Sequence, residues 1–401
     1  LLDHQMFSAN GGPDFDAWKA SHQPFHWVAE YYQIIHGNGG FDVIIGNPPY
    51  VEYNKKDKIT GKAVSDIYKL EGYKTLACGD LYAFCVERAI VKLLNANGGI
   101  GMIVPISISS TDGYSSLRKV LKQGMSGGYI SNFGVRPAKL FDGVDKRLSI
   151  FISSKKSNWY TTKYKRWTSI ERPQLFQNTQ YVISDFDALN ISGLIKISTP
   201  IELNIVRKLT AKKALSYSNK KRSNYGLMYT RKLQYFIQFF IDSPIIYNER
   251  REIIEPSELK HVYFANITDR DIAISGLNSS LFFWFFIAFS DCRNVNVREI
   301  LSFPLGLNSV SQTISNMMVS LSNKILDNLK KYSIFIPRND KKAGLLEIQS
   351  FRPRYSKPII DEIDKVLAKH YGFTDEELDF IINYDIKYRM GDELNTNNEG
   401  E

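Results

Sequence analysis

Cysteine is scarce in this 401-residue sequence, which contains only Cys78, Cys85 and Cys292. The three residues form no C-x-x-C pair and no even-numbered set, so the sequence predicts neither a zinc site nor a disulfide framework. A reducing, cytoplasmic setting fits this usage. His26 and His36 lie far along the chain from His261 and His370, and we predict structural or solvated roles for these histidines and no metal site.

Long apolar runs are also absent. The longest, "LFFWFFIAF" at 281–289, is well short of the roughly 20 residues that cross a bilayer, so no membrane segment is predicted. No charged-then-apolar leader opens the chain, and residue 1 is Leu rather than Met, so we expect a part of a longer protein. With 43% hydrophobic and 23% charged residues, the composition is that of a globular protein with two or three domains.

Positive charge is concentrated in one segment. Residues 151–235 contain 16 Lys and Arg against 4 Asp and Glu, a local excess of +12 that is larger than the net charge of +9 of the whole sequence. Within it, the stretches 155–167 and 212–232 interleave cations with Tyr, Trp, Asn and Ser. Cations suit phosphate contacts and rings suit stacking, so we predict nucleic-acid binding here. A solvated basic surface is the plainer alternative.

Apolar runs and amphipathic stretches alternate in the first 155 residues. The sequence predicts strands at 41–46, 100–108, 129–135 and 147–154, a helix from Leu81 that stops at Gly98, and a short helix at 115–124. Alternation of this kind favours a largely parallel α/β sheet, whose strands, including 41–46, are covered on both faces. The ligand crevice of such a sheet lies beyond the carboxyl ends of its strands.

Asn47-Pro48-Pro49-Tyr50 follows the first of these strands. The prolines donate no N–H and keep the backbone extended, so carbonyl groups point outward beside the Asn47 side-chain oxygen and the Tyr50 ring. Two such acceptors can hold both hydrogens of an exocyclic amine, and a ring can stack on the attached heterocycle. Because these bonds favour a tetrahedral nitrogen, they direct its electron pair toward an electrophile.

This N-P-P-Y segment resembles motif IV of the S-adenosylmethionine-dependent amino-methyltransferases, in particular the DNA adenine-N6 methyltransferases. The segments 79–108, 115–121 and 133–152 are similar to the family's following motifs, in order and at sensible spacing. Upstream, "FHWVAEYYQIIHGNGGFDVIIGNPPY" is similar to the run before the same motif in gamma-class type IIG restriction-modification enzymes and phage-defence methylases. Weaker resemblances at 277–306 and 364–391 extend to the recognition domain and C-terminal helices of those enzymes.

The resemblance implies a role for each site residue. Asn47 and the Pro48 carbonyl would accept hydrogen bonds from the adenine N6 amine, Pro49 would shape the loop, and Tyr50 would stack on the base. Phe141 would pack on the other face of the base once it is flipped from the duplex, although a plain core position is the alternative. Asp80 would lie near the cofactor with Asn47 or, as we favour, cap the helix that begins at Leu81.

The resemblance also implies a domain plan. Residues 1–155 would be the C-terminal half of the catalytic domain, a partial Rossmann-like methyltransferase sheet. A mixed α+β target-recognition region that binds double-stranded DNA would occupy 156–350, a C-terminal helical pair 351–390, and a disordered acidic tail 391–401. Within the pair, we predict helices from Pro358 to His370, with Gly372 as its stop, and from a capping box at Thr374 to about Arg389.

One departure from the family concerns the cofactor. The glycine-rich turn that binds S-adenosylmethionine should precede Asn47, yet Gly11-Gly12 and the glycines at 37–40 follow no apolar strand. A missing N-terminal half or a separate chain would then supply this motif. The alternative function is a non-catalytic DNA-binding fragment or specificity component. A protein or RNA methyltransferase is a third option, since similar N-P-P segments occur there, but the large basic C-terminal half argues against it.

Overall fold

The computed structural model describes residues 1–10, 12–154, 158–184, 193–231, 235–256, 258–340 and 343–391. These residues form two compact units. Unit 1 takes the described residues up to 198, and unit 2 takes those from 199 onward.

Unit 1 contains six strands and seven α-helices among its described residues. The strands are β1 (Phe41–Gly46), β2 (Leu94–Pro105), β3 (Gly127–Phe133), β4 (Leu148–Ser154), β5 (Trp159–Lys165) and β6 (Val182–Ile183). The helices are α1 (Leu2–Asn10), α2 (Phe15–His22), α3 (Trp27–Glu30), α4 (Val64–Ile67), α5 (Leu81–Arg88), α6 (Ser107–Ser110) and α7 (Ser115–Gly124). The predicted strand at 41–46 and the predicted helix at 115–124 are confirmed.

The six strands form one mixed sheet in the order β1-β2-β4-β3-β5-β6. The pairs β1–β2 and β3–β5 are parallel, whereas β4 is antiparallel to both of its neighbours and β6 is antiparallel to β5. The prediction of a largely parallel sheet is therefore wrong for most neighbouring pairs. A loop returns the chain directly from β3 to β4, and strands joined without a crossover pair antiparallel. The sheet also continues beyond residue 155 through β5 and β6, so the expected boundary there differs from the structure.

Among the described residues, the two faces of the sheet are covered unequally at β1. Ile100, Met102 and Phe151 are buried against residues of α5 and α7 in the main hydrophobic cluster. Side chains alternate between faces along a strand, and on the opposite face of β1 Val43 is 62% exposed and Ile45 82% exposed. The prediction that β1 is covered on both faces is thus wrong for the described residues.

The region between α5 and β2 also differs from the prediction. The helix passes at Ala89 into a π-helical turn that ends at Leu93, and β2 begins at Leu94, so Gly98 lies within a strand and is not a helix stop. Pairing with β1, in which Leu94 lies opposite Phe41, draws these residues into the sheet. At its other end β2 stops at Pro105, since the next residues enter α6.

Unit 2 contains seven strands and eight α-helices among its described residues. The strands are β7 (Asn219–Lys220), β8 (Tyr225–Thr230), β9 (Phe239–Phe240), β10 (Ile246–Tyr247), β11 (Leu259–Phe264), β12 (Ile334–Asp340) and β13 (Gly344–Ser350). The helices are α8 (Pro200–Thr210), α9 (Ile267–Leu277), α10 (Ser280–Phe289), α11 (Val297–Ser302), α12 (Gln312–Lys331), α13 (Lys357–Tyr371), α14 (Asp375–Ile382) and α15 (Ile386–Arg389). The strands form one sheet in the order β7-β11-β8-β9 and another in the order β10-β13-β12.

Helix α10 is the centre of unit 2, since all ten of its residues are buried. Its first backbone N–H groups, those of Ser280 and Leu281, donate to the buried Asp364 carboxylate at 3.2 and 3.1 Å, which satisfies donors that a helix leaves open. Within the described residues, no single helix has the length and apolar composition to cross a membrane. The helices α9 and α10 reach that length only as a pair, bent by 72°.

The predicted C-terminal helical pair is present as α13 and α14. Gly372 ends α13 with a φ of 69°, a left-handed conformation that glycine adopts without strain, and Thr374 caps α14 in a capping box. Helix α14 ends at Ile382 rather than near Arg389, because Asp385 turns the chain at a φ of 53° before α15. Of the predicted tail, residues 392–401 lie outside the described residues.

Candidate active site

The Asn47–Tyr50 segment lies directly after β1, at the carboxyl end of the strand. Asn47 and Pro49 are exposed, Pro48 is buried and Tyr50 is half-buried. The two prolines keep the chain from forming a helix or continuing the sheet ladder, as the sequence predicts. The segment therefore offers an exposed carboxamide at the edge where α/β sheets bind ligands.

Tyr50 fixes this carboxamide. Its hydroxyl lies 2.6 Å from Asn47 Oδ1 and 2.9 Å from the carbonyl oxygen of Ile103 in β2, and it donates toward both acceptors. The ring packs against the main hydrophobic cluster. Burial raises the pKa of Tyr50 to about 12, so the hydroxyl keeps its proton at neutral pH. Sequence reasoning assigned stacking alone to Tyr50 and missed its contact with Ile103, which lies 53 residues away.

A second neighbour of the segment is Lys146. Its ammonium donates to the Tyr50 carbonyl oxygen at 3.1 Å and lies 5.8 Å from the centroid of the Tyr50 ring. Lys146 belongs to the loop between β3 and β4 that also carries Phe141. The structure thus brings this loop to the Asn47–Tyr50 segment. Nothing in the spacing of the sequence singles out Lys146.

Phe141 is 36% exposed, so it does not occupy the plain core position that was the alternative to a role in base stacking. The Arg172 guanidinium holds the neighbouring backbone by donating to the carbonyls of Lys139 at 2.7 Å and Leu140 at 3.3 Å. Among the described residues, no other aromatic ring stacks on Phe141. Its ring is available for a ligand, and its role on a base stays a prediction.

Asp80 stands at the first position before α5, but its side chain makes no capping hydrogen bond. The predicted cap is therefore wrong. Instead, the Tyr114 hydroxyl donates to Asp80 Oδ2, and the Tyr114 ring stacks on Tyr82 at 5.4 Å. Burial, followed by the contact with Asp80, raises the pKa of the Tyr114 hydroxyl. The other carboxylate oxygen, Asp80 Oδ1, is buried and accepts no hydrogen bond within the described part of the chain.

The basic segment 151–235 is divided between the two units. Some of its cations serve the fold: Lys165 donates to the Leu175 carbonyl at 2.6 Å, and Lys208 pairs with Glu377 at 2.6 Å. Other cations are exposed on unit 2, around β7. Together with the exposed Tyr217 they form what we call the β7 basic surface: Lys213, Tyr217, Lys220, Lys221 and Arg222. Lys213 lies 5.6 Å from the Tyr217 ring centroid. The predicted contributions of Lys155, Lys156 and Lys232 lie outside the described residues.

His22 and His26 are four residues apart, a spacing that can serve a metal on a helix. The His22 ring contacts the Trp18 carbonyl oxygen at 3.1 Å, and the His26 ring contacts Asp3 at 2.6 Å. Across the described ranges, no group of three or more His, Cys, Asp or Glu side chains is arranged to hold a metal ion.

Comparison with known proteins shows what this region is similar to. The type II restriction enzyme and methyltransferase RM.Eco57I of Escherichia coli is 29% identical over 156 residues, which is 38% of this chain and 15% of that protein. The putative type II restriction enzyme and methyltransferase RM.MjaORFECS2P of Methanocaldococcus jannaschii is 26% identical over 232 residues, 52% of this chain and 18% of that protein. The chain thus spans less than one fifth of either relative.

Residues 4–136 match the Eco57I restriction-modification methylase family. The predicted resemblance to the restriction-modification methylases is therefore confirmed. Among solved structures, the type IIL restriction-modification enzyme MmeI in complex with DNA is similar at a TM-score of 0.42 and 14% identity. That similarity covers 86% of this chain and 57% of MmeI.

Proposed function

We propose that this chain is the base-binding and DNA-binding portion of a gamma-class DNA adenine-N6 methyltransferase in a restriction-modification or phage-defence system of the cytoplasm. The observation that carries the proposal is the exposed Asn47 carboxamide, whose oxygen the Tyr50 hydroxyl holds at 2.6 Å beside the Pro48–Pro49 backbone. The match of residues 4–136 to a methylase family supports it.

The geometry suits an exocyclic amine that has been flipped out of a duplex. A carboxamide oxygen has two lone pairs, so Asn47 Oδ1 can accept from Tyr50 and from one amine hydrogen at once. The Pro48 carbonyl accepts the second hydrogen. Holding both hydrogens favours a tetrahedral nitrogen and leaves its electron pair for an electrophile. The exposed Phe141 ring then covers one face of the base, with Tyr50 at the other.

The methyl donor of this class is S-adenosylmethionine, and the described residues do not form a complete site for it. β1 is the first strand of the described chain, and no glycine-rich turn follows a strand ahead of Asn47. The second acceptor oxygen of Asp80 and the exposed Asn47 are this chain's contribution near such a site. We place the donor-binding turn on polypeptide outside this sequence, which pairs along the outer edge of β1 and covers Val43 and Ile45.

DNA binding is assigned to the β7 basic surface of unit 2. Its exposed cations suit phosphate groups, and the exposed Tyr217 ring suits stacking or groove contacts. The part of the predicted 156–350 region that lies in unit 2, from residue 199 onward, is accordingly proposed as the target-recognition part.

The test begins with calorimetric titration of S-adenosylmethionine into the 401-residue chain. Tritium-methyl transfer to mixed-sequence DNA is then measured with and without a separate polypeptide that carries the S-adenosylmethionine-binding turn, which we call the donor-binding part. We expect transfer only with that part present, and Asn47→Ala should abolish transfer while duplex binding is retained. Asn97→Ala, which changes an exposed asparagine of β2 outside the site, is the matched control. Equal loss of binding and transfer in Asn47→Ala would contradict the proposed role.

A second function, a non-catalytic DNA-binding fragment or specificity component, is favoured by the uncovered edge of β1. It predicts duplex binding without methyl transfer even when the donor-binding part of a related methylase is supplied. Methyl transfer under those conditions excludes it.

A further inference from the structure

The chain makes a closed excursion directly after the Asn47–Tyr50 segment, and we call residues 54–78 the lysine loop. Its two ends are paired with each other: the Tyr53 N–H donates to the Gly79 carbonyl at 2.7 Å, and the Leu81 N–H donates to the Val51 carbonyl at 2.9 Å. The loop therefore begins and ends beside the candidate active site.

The stem of the lysine loop is anchored from inside unit 1. The buried Glu87 carboxylate of α5 accepts from the N–H groups of Lys74 at 3.0 Å and Thr75 at 2.9 Å. The Tyr53 hydroxyl donates to the Tyr68 carbonyl at 2.7 Å and accepts from the Leu70 N–H at 2.9 Å. These contacts fix where the tip of the loop is presented.

The tip is a turn over residues 57–62. The Asp57 N–H donates to the Lys62 carbonyl at 2.9 Å, and the Asp57 carboxylate accepts from the N–H groups of Ile59 and Thr60, each at 2.9 Å. Gly61 takes a φ of 69°, which closes the turn. These backbone bonds lower the pKa of Asp57, so the carboxylate stays charged at neutral pH. The turn leaves the Ile59 side chain 94% exposed at its apex.

Positive charge predominates in the loop that carries this apolar apex. The lysine loop contains six lysines and three acidic residues, and all six lysines are exposed. Lys55 pairs with Glu52 at 3.0 Å, and among the described residues it is the one lysine of the loop in an ion pair. An exposed isoleucine on a closed turn that also carries Lys58 and Lys62 matches the chemistry of an apolar wedge that enters a nucleic acid duplex.

We propose that the turn at 57–62 docks on duplex DNA, with Lys58 and Lys62 on phosphates and Ile59 inserted into the base stack next to the flipped adenine. This inference rests on the proposed function, because flipping a base opens the gap that a wedge fills. Ile59 would sense or stabilise the opened duplex, whereas the residues of the candidate active site hold the base.

The test compares two labelled 30-bp duplexes of mixed sequence, one intact and one with a single abasic site, by fluorescence anisotropy with the 401-residue chain. An abasic site offers the gap without the cost of unstacking, so we expect the unsubstituted chain to bind the abasic duplex about tenfold more tightly. Ile59→Ser should lower this preference to about twofold or less and leave binding of the intact duplex unchanged, whereas Ile59→Leu should keep it.

Ile170 provides the matched control, since it is 91% exposed in the same unit and lies on no such turn. Ile170→Ser should retain the tenfold preference. Equal affinity of the unsubstituted chain for both duplexes, or retention of the preference by Ile59→Ser, overturns the wedge and leaves the proposed DNA binding standing. Failure to bind either duplex overturns both.

The lysines are tested by salt dependence. Lys58→Gln with Lys62→Gln should weaken binding to both duplexes and reduce the slope of log affinity against log salt by about 2, since each phosphate contact contributes roughly 0.9. Lys92→Gln with Lys119→Gln, which removes two exposed lysines elsewhere in unit 1, should leave the slope unchanged. An equal change in both pairs overturns the placement of the turn on the phosphate backbone.

Discussion

Tyr50→Phe, compared with Asn47→Ala, distinguishes the residue that holds Asn47 in place from the residue that accepts the reacting amine. The substitution keeps the ring in the hydrophobic cluster and removes the hydroxyl that joins Asn47 to Ile103. Asn47→Ala removes the exposed acceptor and leaves the contact between Tyr50 and Ile103 in place. Tyr50→Phe should therefore cause the larger loss of stability, and Asn47→Ala the larger loss of methyl transfer.

The expected magnitudes follow from burial. A neutral hydrogen bond contributes about 1 kcal/mol net, and a poorly solvated carbonyl left without its donor costs about 1 kcal/mol more, so Tyr50→Phe should destabilise unit 1 by about 1–2 kcal/mol. It should slow methyl transfer only about tenfold, through looser orientation of Asn47. Asn47→Ala should change stability by less than about 0.5 kcal/mol at its exposed position. Loss of an acceptor for the reacting amine should lower transfer by about 10²–10³-fold.

Stability is measured by urea unfolding of the 401-residue chain, and transfer with the donor-binding part supplied. Tyr181→Phe is the matched control, because it removes a hydroxyl that lies 2.7 Å from Ser131 Oγ, in unit 1 and outside the site. It should leave transfer unchanged. If Asn47→Ala destabilises the chain as much as Tyr50→Phe, or if Tyr50→Phe changes neither quantity, the assignment of Tyr50 as the support of Asn47 is refuted.

Three further predictions concern other parts of the molecule. Burial raises the pKa of Asp364 to about 6 from 3.8, so the folded protein binds this proton more tightly than the unfolded chain. Protonation of Asp364 then contributes about 3 kcal/mol to stability below pH 4, and this contribution is lost as pH rises through 6. Urea unfolding of Asp364→Asn at pH 4 and pH 7 should lack this dependence. Glu87→Gln should destabilise unit 1 by about 2–3 kcal/mol, seen in thermal unfolding, because an amide N–H₂ would meet backbone donors; an unchanged midpoint contradicts the anchoring. Replacing Lys220, Lys221 and Arg222 with Gln should reduce the salt slope of duplex binding by about 3, and an unaltered slope excludes the β7 basic surface as a phosphate contact.

The sequence is most informative where local pattern decides the structure. The run 41–46 is bounded by glycine and proline, and both its limits are confirmed in β1. Gly372 and Thr374 likewise set the end of α13 and the start of α14, because a left-handed φ and a capping oxygen are local requirements.

The sequence is least informative where distant partners decide. Pairing with β1 made a strand of residues 94–98, which sequence periodicity assigned to a helix. The Asp80 carboxylate accepts from the hydroxyl of Tyr114, 34 residues away, and does not cap the helix as expected. The contacts of Tyr50 with Ile103 and Lys146 likewise join segments whose proximity only the sheet order creates. Local propensity contains no information on these pairings.

The outer edge of β1 has a practical consequence for work with this chain. Edge strands in natural proteins are guarded against self-pairing by lysine, proline or a bulge. β1 has an irregularity between Phe41 and Val43, but the stretch from Val43 to Gly46 carries no such guard. An apolar strand with an open ladder is a template for strand addition, so concentrated solutions of the isolated chain should aggregate through this edge. Ile45→Lys is the simplest way to keep the protein monomeric for the duplex-binding measurements, which do not require the donor-binding part at this edge.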